Sequence, residues 1–335
     1  MIVIIGATSF IGLNTAEAFL KAGYEVVGTG RNHAAGKLLK NFGAEFLELD
    51  ITDKAAFERL PKDNVSGVVN VAAFMPVNSS VDLDKEENAA EYFRVNVLGT
   101  INVLEYCRKN GISKLLGASS FADMAGVRKE IITEDEPRNF PFVGDHVAYV
   151  ISKNAANDLM EYYNQQHQMQ CAWFRFPAVY GIAPNNINSF RINGQKMTPG
   201  IPTFIERARN GEDIEVWGNP HIKKDMVYVK DVAQAYVQAM ESTGARGLYN
   251  MTGGMQVTLE EKVQAVIKVF GNGRGSKIIY CPEKGRQDDY PYLYCIEKAK
   301  RDFGYSPQYT DFVKIMEDYK LELESGRWND WLNSR

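Results

Sequence analysis

The chain has 335 residues, enough for one large domain or two lobes around a sizeable core. Its 38 basic and 42 acidic residues leave a net charge of −4, and 45% hydrophobic with 24% charged residues is an ordinary globular balance, so nucleic-acid and membrane-surface binding are not expected. The longest apolar runs, Met1–Ile5 and Gly67–Met75, are strand-sized and far short of a bilayer span.

Short apolar runs alternate with helix-like stretches over the first half. Met1–Ile5, Tyr24–Gly28, Glu45–Leu49, Gly67–Val71, Lys114–Ala118 and Cys171–Phe176 predict buried strands. Ile11–Ala22, Asn88–Asn110 and Val147–Gln166 predict helices between them. That alternation predicts an α/β fold, a Rossmann-type doubly wound parallel sheet. After Gly181 the pattern loosens into loops rich in Pro, Gly and Asn with shorter helices at Thr203–Asn210, Asp231–Glu241 and Thr258–Phe270, which predicts a smaller C-terminal lobe. Cys107, Cys171, Cys281 and Cys295 lack metal-ligand spacing, so reduced thiols, no metal and a cytoplasmic protein are expected. No signal peptide is expected, because the first strand starts at Ile2 and leads into a functional turn.

That turn is Gly6-Ala7-Thr8-Ser9-Phe10-Ile11-Gly12, between a strand and a helix start. Gly6 permits a tight bend and Gly12 lets the helix pack closely, so backbone amides can meet a pyrophosphate at the helix N-terminus. Ser9 stands where a three-glycine version has its middle glycine. Thr8, Ser9, Phe10 and Ile11 complete the candidate dinucleotide cradle. Beyond the second strand no acid is present to accept from a ribose hydroxyl; Arg31, followed by Asn32, instead offers a cation suited to a 2′-phosphate. NADP is therefore preferred over NAD, with Asp50 and Ile51 bordering the adenine.

Tyr149 and Lys153 lie one helical turn apart, on a shared face. The ammonium and an oxidised nicotinamide would lower the phenol toward working pH and make it a general acid/base. The same spacing recurs at Tyr280/Lys284, interrupted by Pro282, and at Tyr294/Lys298, after the sheet has ended. Only Tyr149 opens a long helix following a strand that ends in serines, Ser119 and Ser120. Ser120 can hydrogen-bond the reacting oxygen, and Asn96 can buttress the site from the preceding helix.

These landmarks together resemble the extended short-chain dehydrogenase/reductase family, in its NAD(P)-dependent nucleotide-sugar epimerase/dehydratase branch. The likeness continues through Asn70-Val71-Ala72-Ala73, Asn96-Val97-Leu98-Gly99-Thr100, the stretch from Arg175 to Gly181, Val216 to Pro220, Lys224 to Asp231, Asn250, and Gly285 to Asp289. The resemblance implies an NAD(P)-binding domain over residues 1–180 and a substrate-binding lobe over 181–335, some of whose segments return to the main sheet. It implies Tyr149 as acid/base, Lys153 on the nicotinamide ribose and Ser120 on the substrate oxygen. Ala72, Ala73 and Pro177 would line the cofactor with Asn96 nearby, and Lys224 and Arg286 would meet a sugar diphosphate. A homodimer paired through the two long helices is the family expectation.

Departures from the family pattern narrow the reading. Lys224 replaces the usual arginine, Ala178 a common asparagine, and Met124-Ala125 the usual Tyr-Gly. Phe121-Ala122 follows Ser120 where dehydratases carry Asp-Glu, which argues against 4,6-elimination. The expected activity is a nucleotide-sugar epimerase or 4-keto reductase moving a hydride at a sugar carbon, C4. The alternatives are an NADPH-dependent reductase of a non-sugar ketone and a non-catalytic NADP-binding regulator.

Overall fold

Strands that are apolar at every position need cover on both faces, and Ile2–Ile5 is buried throughout. The computed structural model, which describes residues 1–75, 89–143, 146–184, 190–192, 195–197, 200–284 and 290–333, shows how that cover is supplied. The first half runs β1 (Ile2–Ile5), α1 (Phe10–Lys21), β2 (Val26–Gly30), α2 (His33–Phe42), β3 (Glu45–Glu48), β4 (Gly67–Asn70), α3 (Ala89–Tyr92), α4 (Gly99–Lys109), β5 (Lys114–Ala118), β6 (Ile131–Ile132), α5 (Val147–Gln166) and β7 (Gln170–Arg175). Then come β8 (Ala178–Tyr180), β9 (Phe190–Ile192), β10 (Gln195–Met197), α6 (Gly200–Asn210), β11 (Ile214–Trp217), β12 (Lys224–Tyr228), α7 (Val229–Glu241) and β13 (Gly247–Asn250). The chain closes with β14 (Gln256–Val257), α8 (Leu259–Phe270), β15 (Ile278–Cys281), β16 (Leu293–Tyr294), α9 (Glu297–Phe303), α10 (Phe312–Glu324) and α11 (Asn329–Leu332).

Seven strands form one parallel sheet in the order β13-β7-β5-β4-β1-β2-β3. Alternate residues of β1 enter opposite layers, as the two-residue period of a strand requires. Ile2 and Ile4 join a core with Leu13 and Phe19 of α1 and Val232 and Tyr236 of α7. Val3 and Ile5 join another with Val103 and Leu104 of α4 and Met160 and Tyr163 of α5. The doubly wound Rossmann-type architecture is therefore as predicted. All seven strands point one way, so their C-terminal ends share one edge, and the order switches direction beside β1, where open α/β sheets bind ligands.

Local boundaries differ from the sequence expectation for identifiable reasons. The second strand starts at Val26 rather than Tyr24, because Gly23 at φ +86° turns the chain and the Tyr24 amide bonds back to the Phe19 carbonyl at 3.0 Å. The long helix expected over 88–110 contains a π-helical stretch, Phe93–Leu98, between α3 and α4. From the second half, β13 joins the main sheet beside β7 and α7 packs on α1. Three small sheets, β14-β12-β8, β11-β15 and β10-β9, form outside the main sheet, from residue 178 onward. Arg327, just before α11, reaches back to Glu17 of α1 at 2.8 Å, so the C-terminal segment ends against the first half.

Candidate active site

The glycine turn is held by contacts that leave no room for side chains. Gly6 sits at φ +84°, a left-handed conformation suited to glycine, and a Cβ there would lie 2.6 Å from the Ala72 amide nitrogen. A Cβ on Gly12 would lie 2.3 Å from the Gly6 carbonyl oxygen. Ser9, at the middle-glycine position, is the N-cap of α1, its Oγ accepting from the Gly12 amide at 3.1 Å. Phe10 and Ile11 open the helix behind it. The cradle thus has the close backbone approach and helix N-terminus that a dinucleotide pyrophosphate needs. Gly30, not singled out from the sequence, also belongs to this turn, because a Cβ there would collide with the Thr8 Oγ1. Its signal was position, at the end of β2 opposite the turn.

The rim beyond β2 is a charged cluster. Arg31 Nη1 lies 3.4 Å from Asp50 Oδ2, both groups being exposed. Against the upward push of burial, the Thr52 amide and hydroxyl hold the Asp50 carboxyl below its usual range. Arg94, not singled out in the sequence, donates to Thr52 Oγ1 at 2.7 Å and to both oxygens of Glu91. Asn32 caps α2 by accepting from the Ala35 amide at 3.0 Å. Ile51 is buried, packed against Gly99 at the start of α4.

Ala72 faces Gly6 just past β4, with Ala73 next to it. Asn96 lies in the π-helical stretch and is buried. Its Oδ1 accepts from the Phe74 amide at 2.7 Å, and its Nδ2 donates to the Phe74 carbonyl at 3.0 Å and to Ser152 Oγ at 2.9 Å. Ser152 in turn donates to the Tyr149 carbonyl at 2.7 Å. One amide therefore ties the segment after β4 to the helix carrying Tyr149. π-Helical insertions recur at functional sites.

Ser120 lies just past β5, and β4 alone separates β5 from β1, so the serine and the glycine turn are roughly 10 Å apart along the sheet edge at about 4.8 Å per strand. The Ser120 hydroxyl lies close enough to the Tyr149 phenol to favour its ionised form. Lys153, one turn along α5, is buried, and burial pulls its ammonium down to about 8. In the chain by itself burial dominates at Tyr149 too, pushing the phenol up to about 12 while Ser120 pulls it back. A lowered phenol, as expected from the sequence, therefore requires the positive charge of an oxidised nicotinamide beside a protonated Lys153. The other two Tyr-Lys spacings are engaged elsewhere: Tyr280 donates to Glu260, Lys284 pairs with Glu215 at 2.8 Å, and Lys298 donates to the Leu248 carbonyl.

Pro177 is buried between β7 and β8. Lys224 opens β12, two residues before Met226, the register partner of Ala178. Arg286 lies outside the described residues, so only Lys224 of the expected phosphate-binding pair has a position here.

A parallel sheet with a glycine turn at its switch point is the framework of the extended short-chain dehydrogenase/reductases. The model of the NAD dependent epimerase/dehydratase family matches residues 2–252, and the chain belongs to that family, an enzyme of the NAD-dependent epimerase/dehydratase type. The chain is 25% identical over 338 residues to the UDP-glucose 4-epimerase of Corynebacterium glutamicum, covering 95% of this chain and 94% of that one. To the Bacillus subtilis UDP-glucose 4-epimerase it is 25% identical over 326 residues, 91% of each. Among solved structures, the Brucella ovis UDP-glucose 4-epimerase in complex with NAD superposes with a TM-score of 0.74 at 25% identity, over 94% of this chain and 95% of that one. The Thermotoga maritima UDP-glucose 4-epimerase with UDP-glucose superposes at 0.77 and 22% identity, over 96% and 99%, a likeness of fold.

Proposed function

We propose that this chain is a nucleotide-sugar 4-epimerase in which Tyr149 is the acid/base. The observation that carries the reading is the approach of the Ser120 hydroxyl, just past β5, to the Tyr149 phenol, with the Lys153 ammonium one turn along the same helix. Bound nicotinamide supplies a carbon that takes a hydride from the sugar and returns it. Tyr149 Oη receives the proton of the sugar hydroxyl as the ketone forms and gives it back on reduction. Ser120 orients the sugar oxygen, Lys153 holds the nicotinamide ribose, and Lys224 with Arg286 meets the diphosphate. The relatives named as UDP-glucose 4-epimerases support the sugar and the carbon. The absence of an acid pair at Phe121-Ala122 argues against dehydration.

The same groups run a 4-keto reductase if the dinucleotide exchanges, and Arg31 supports that second reading. Its exposed guanidinium has a long 3.4 Å contact with Asp50, leaving it available to a 2′-phosphate and so to NADP. Exposed Phe93, Leu98 and Tyr162 on the two long helical stretches support a homodimer. Incubating the purified protein with UDP-glucose or UDP-galactose, with and without NADPH, tests the reading by nuclear magnetic resonance of the sugar. Exchange between the two without net NADPH oxidation is expected; no conversion of either sugar under any condition refutes it.

A further inference from the structure

Ser120 is not on the strand but on a turn that cannot hold itself. It is the N-cap of a four-residue 3-10 helix, Phe121–Met124, with its Oγ accepting from the Ala122 amide at 3.2 Å. One turn of 3-10 helix has poor hydrogen bonds and no cooperativity, so outside contacts must fix it. Two backbone bonds reach the neighbouring strand: Ser119 N to Phe174 O at 2.7 Å and Phe121 N to Phe176 O at 3.1 Å. Between those two acceptors lies Arg175, whose guanidinium meets the Asp123 carboxylate at 2.8 Å with the two side chains 1% and 4% exposed.

We propose that Asp123 is a positioning residue, whose buried ion pair with Arg175 holds the turn that aims the Ser120 hydroxyl at Tyr149. The guanidinium is itself fixed, because Nη1 donates to Asn250 Oδ1 at 3.1 Å on β13. Asn250 Nδ2 then donates to the Ile132 and Cys295 carbonyls, and its amide to Glu134 Oε1. The pair thereby references the Ser120 turn to two neighbouring strands of the main sheet.

Stability does not account for this arrangement. Burying a carboxylate and a guanidinium costs more than their attraction returns unless every polar atom is satisfied, and well-packed apolar replacements are often neutral or better. Here Asp123 Oδ1 and Arg175 Nε have no hydrogen-bond partner among the described residues. The surroundings would accept an apolar pair, since Met124, Ile132 and Tyr294 form a small core beside it. What a charge pair adds is a fixed direction. Asp123 is buried and engaged by Arg175, so it is not a displaced dehydratase acid.

The inference rests on the proposed role of Ser120, and the test separates the two. Asp123→Asn, the double variant Asp123→Leu with Arg175→Met, Ser120→Ala, and Ser120→Ala combined with Asp123→Asn are compared in UDP-glucose/UDP-galactose exchange. A displacement of about 1 Å at a catalytic group costs on the order of 100-fold. Both Asp123 variants should therefore fold with unchanged circular dichroism and dinucleotide affinity, lose on the order of 10- to 100-fold in kcat with little change in KM, and shift the acid limb of the pH profile upward. Because Asp123 acts through Ser120, the combined variant should be scarcely slower than Ser120→Ala alone. Crystal structures of the Asp123 variants should show the Ser120 hydroxyl displaced from its place beside Tyr149. Wild-type kcat in the folded Asp123 variants, multiplying losses in the combined variant, or an unmoved Ser120 would overturn the inference while leaving Ser120 its role. Wild-type activity in Ser120→Ala would remove that role and the inference with it.

Discussion

Replacing Lys153 by methionine should stabilise the dinucleotide-free protein near neutral pH while abolishing its activity. Lys153 is only 7% exposed in α5, and burial alone brings its ammonium from the ordinary 10.5 to about 8. At about 1.4 kcal/mol per pH unit, that fall corresponds to a folding penalty of at most about 3.5 kcal/mol. The sign follows from proton counts. Between about pH 8 and 10.5 the unfolded chain holds a proton that the folded chain releases, so stability rises with pH across that window. Below about pH 8 both states carry the proton and the whole penalty persists; above 10.5 neither does and it vanishes. Methionine fills similar space without the charge. The variant should gain up to about 3.5 kcal/mol at about pH 7, and the gain should shrink steadily toward about pH 10. Urea unfolding followed by circular dichroism across that range measures it. A variant less stable than the native protein at about pH 7, or a difference indifferent to pH, would mean the ammonium is compensated within the fold, and would refute the reasoning.

Four further outcomes are expected. Tyr149→Phe should keep dinucleotide affinity, measured by calorimetry, and lose at least about 1,000-fold in turnover, within the usual reach of an acid/base group. Ser120→Ala removes the hydroxyl that draws the phenol down, so the acid limb of the kcat profile should move to higher pH as turnover falls; an unmoved limb would break the link between the two hydroxyls. Gly12→Ala places a methyl 2.3 Å from backbone oxygen and 2.7 Å from the Ala7 Cα, neither of which can yield cheaply. It should cost about 1–3 kcal/mol of stability in a denaturant titration and weaken dinucleotide binding at least about tenfold. Arg31→Ala should weaken NADPH binding about tenfold or more and leave NADH unchanged; equal losses for both would remove the 2′-phosphate role.

Much of the scaffold is legible in the sequence because its signals are local. Apolar runs bounded by helical stretches give the strands of a parallel sheet, and Gly6 and Gly12 announce a turn that the structure shows to be packed backbone on backbone. From the sequence, Tyr149 and Lys153 stand apart from two rival spacings because only theirs falls in a long helix after a strand that is followed at once by two serines. What escapes is set by partners distant in the chain. Asp123 and Arg175 lie 52 residues apart and carry no shared motif, and nothing local tells a buried guanidinium from a surface one. Asn96 looks like any helix-face amide until its bonds to Phe74 and Ser152 are seen, and the π-helical stretch that carries it has no apolar period of its own. The state of the phenol is also illegible, because Tyr149 near Lys153 suggests a lowered group, whereas burial governs it in the chain alone.

The most direct test of the account is a crystal structure with the dinucleotide and a UDP-sugar bound. The account predicts Tyr149 Oη about 3 Å from the sugar 4-oxygen, with Ser120 Oγ on the same oxygen and Lys153 Nζ on the nicotinamide ribose. A sugar whose 4-oxygen lies against other side chains, with the Tyr149 hydroxyl turned away from it, would contradict the central claim.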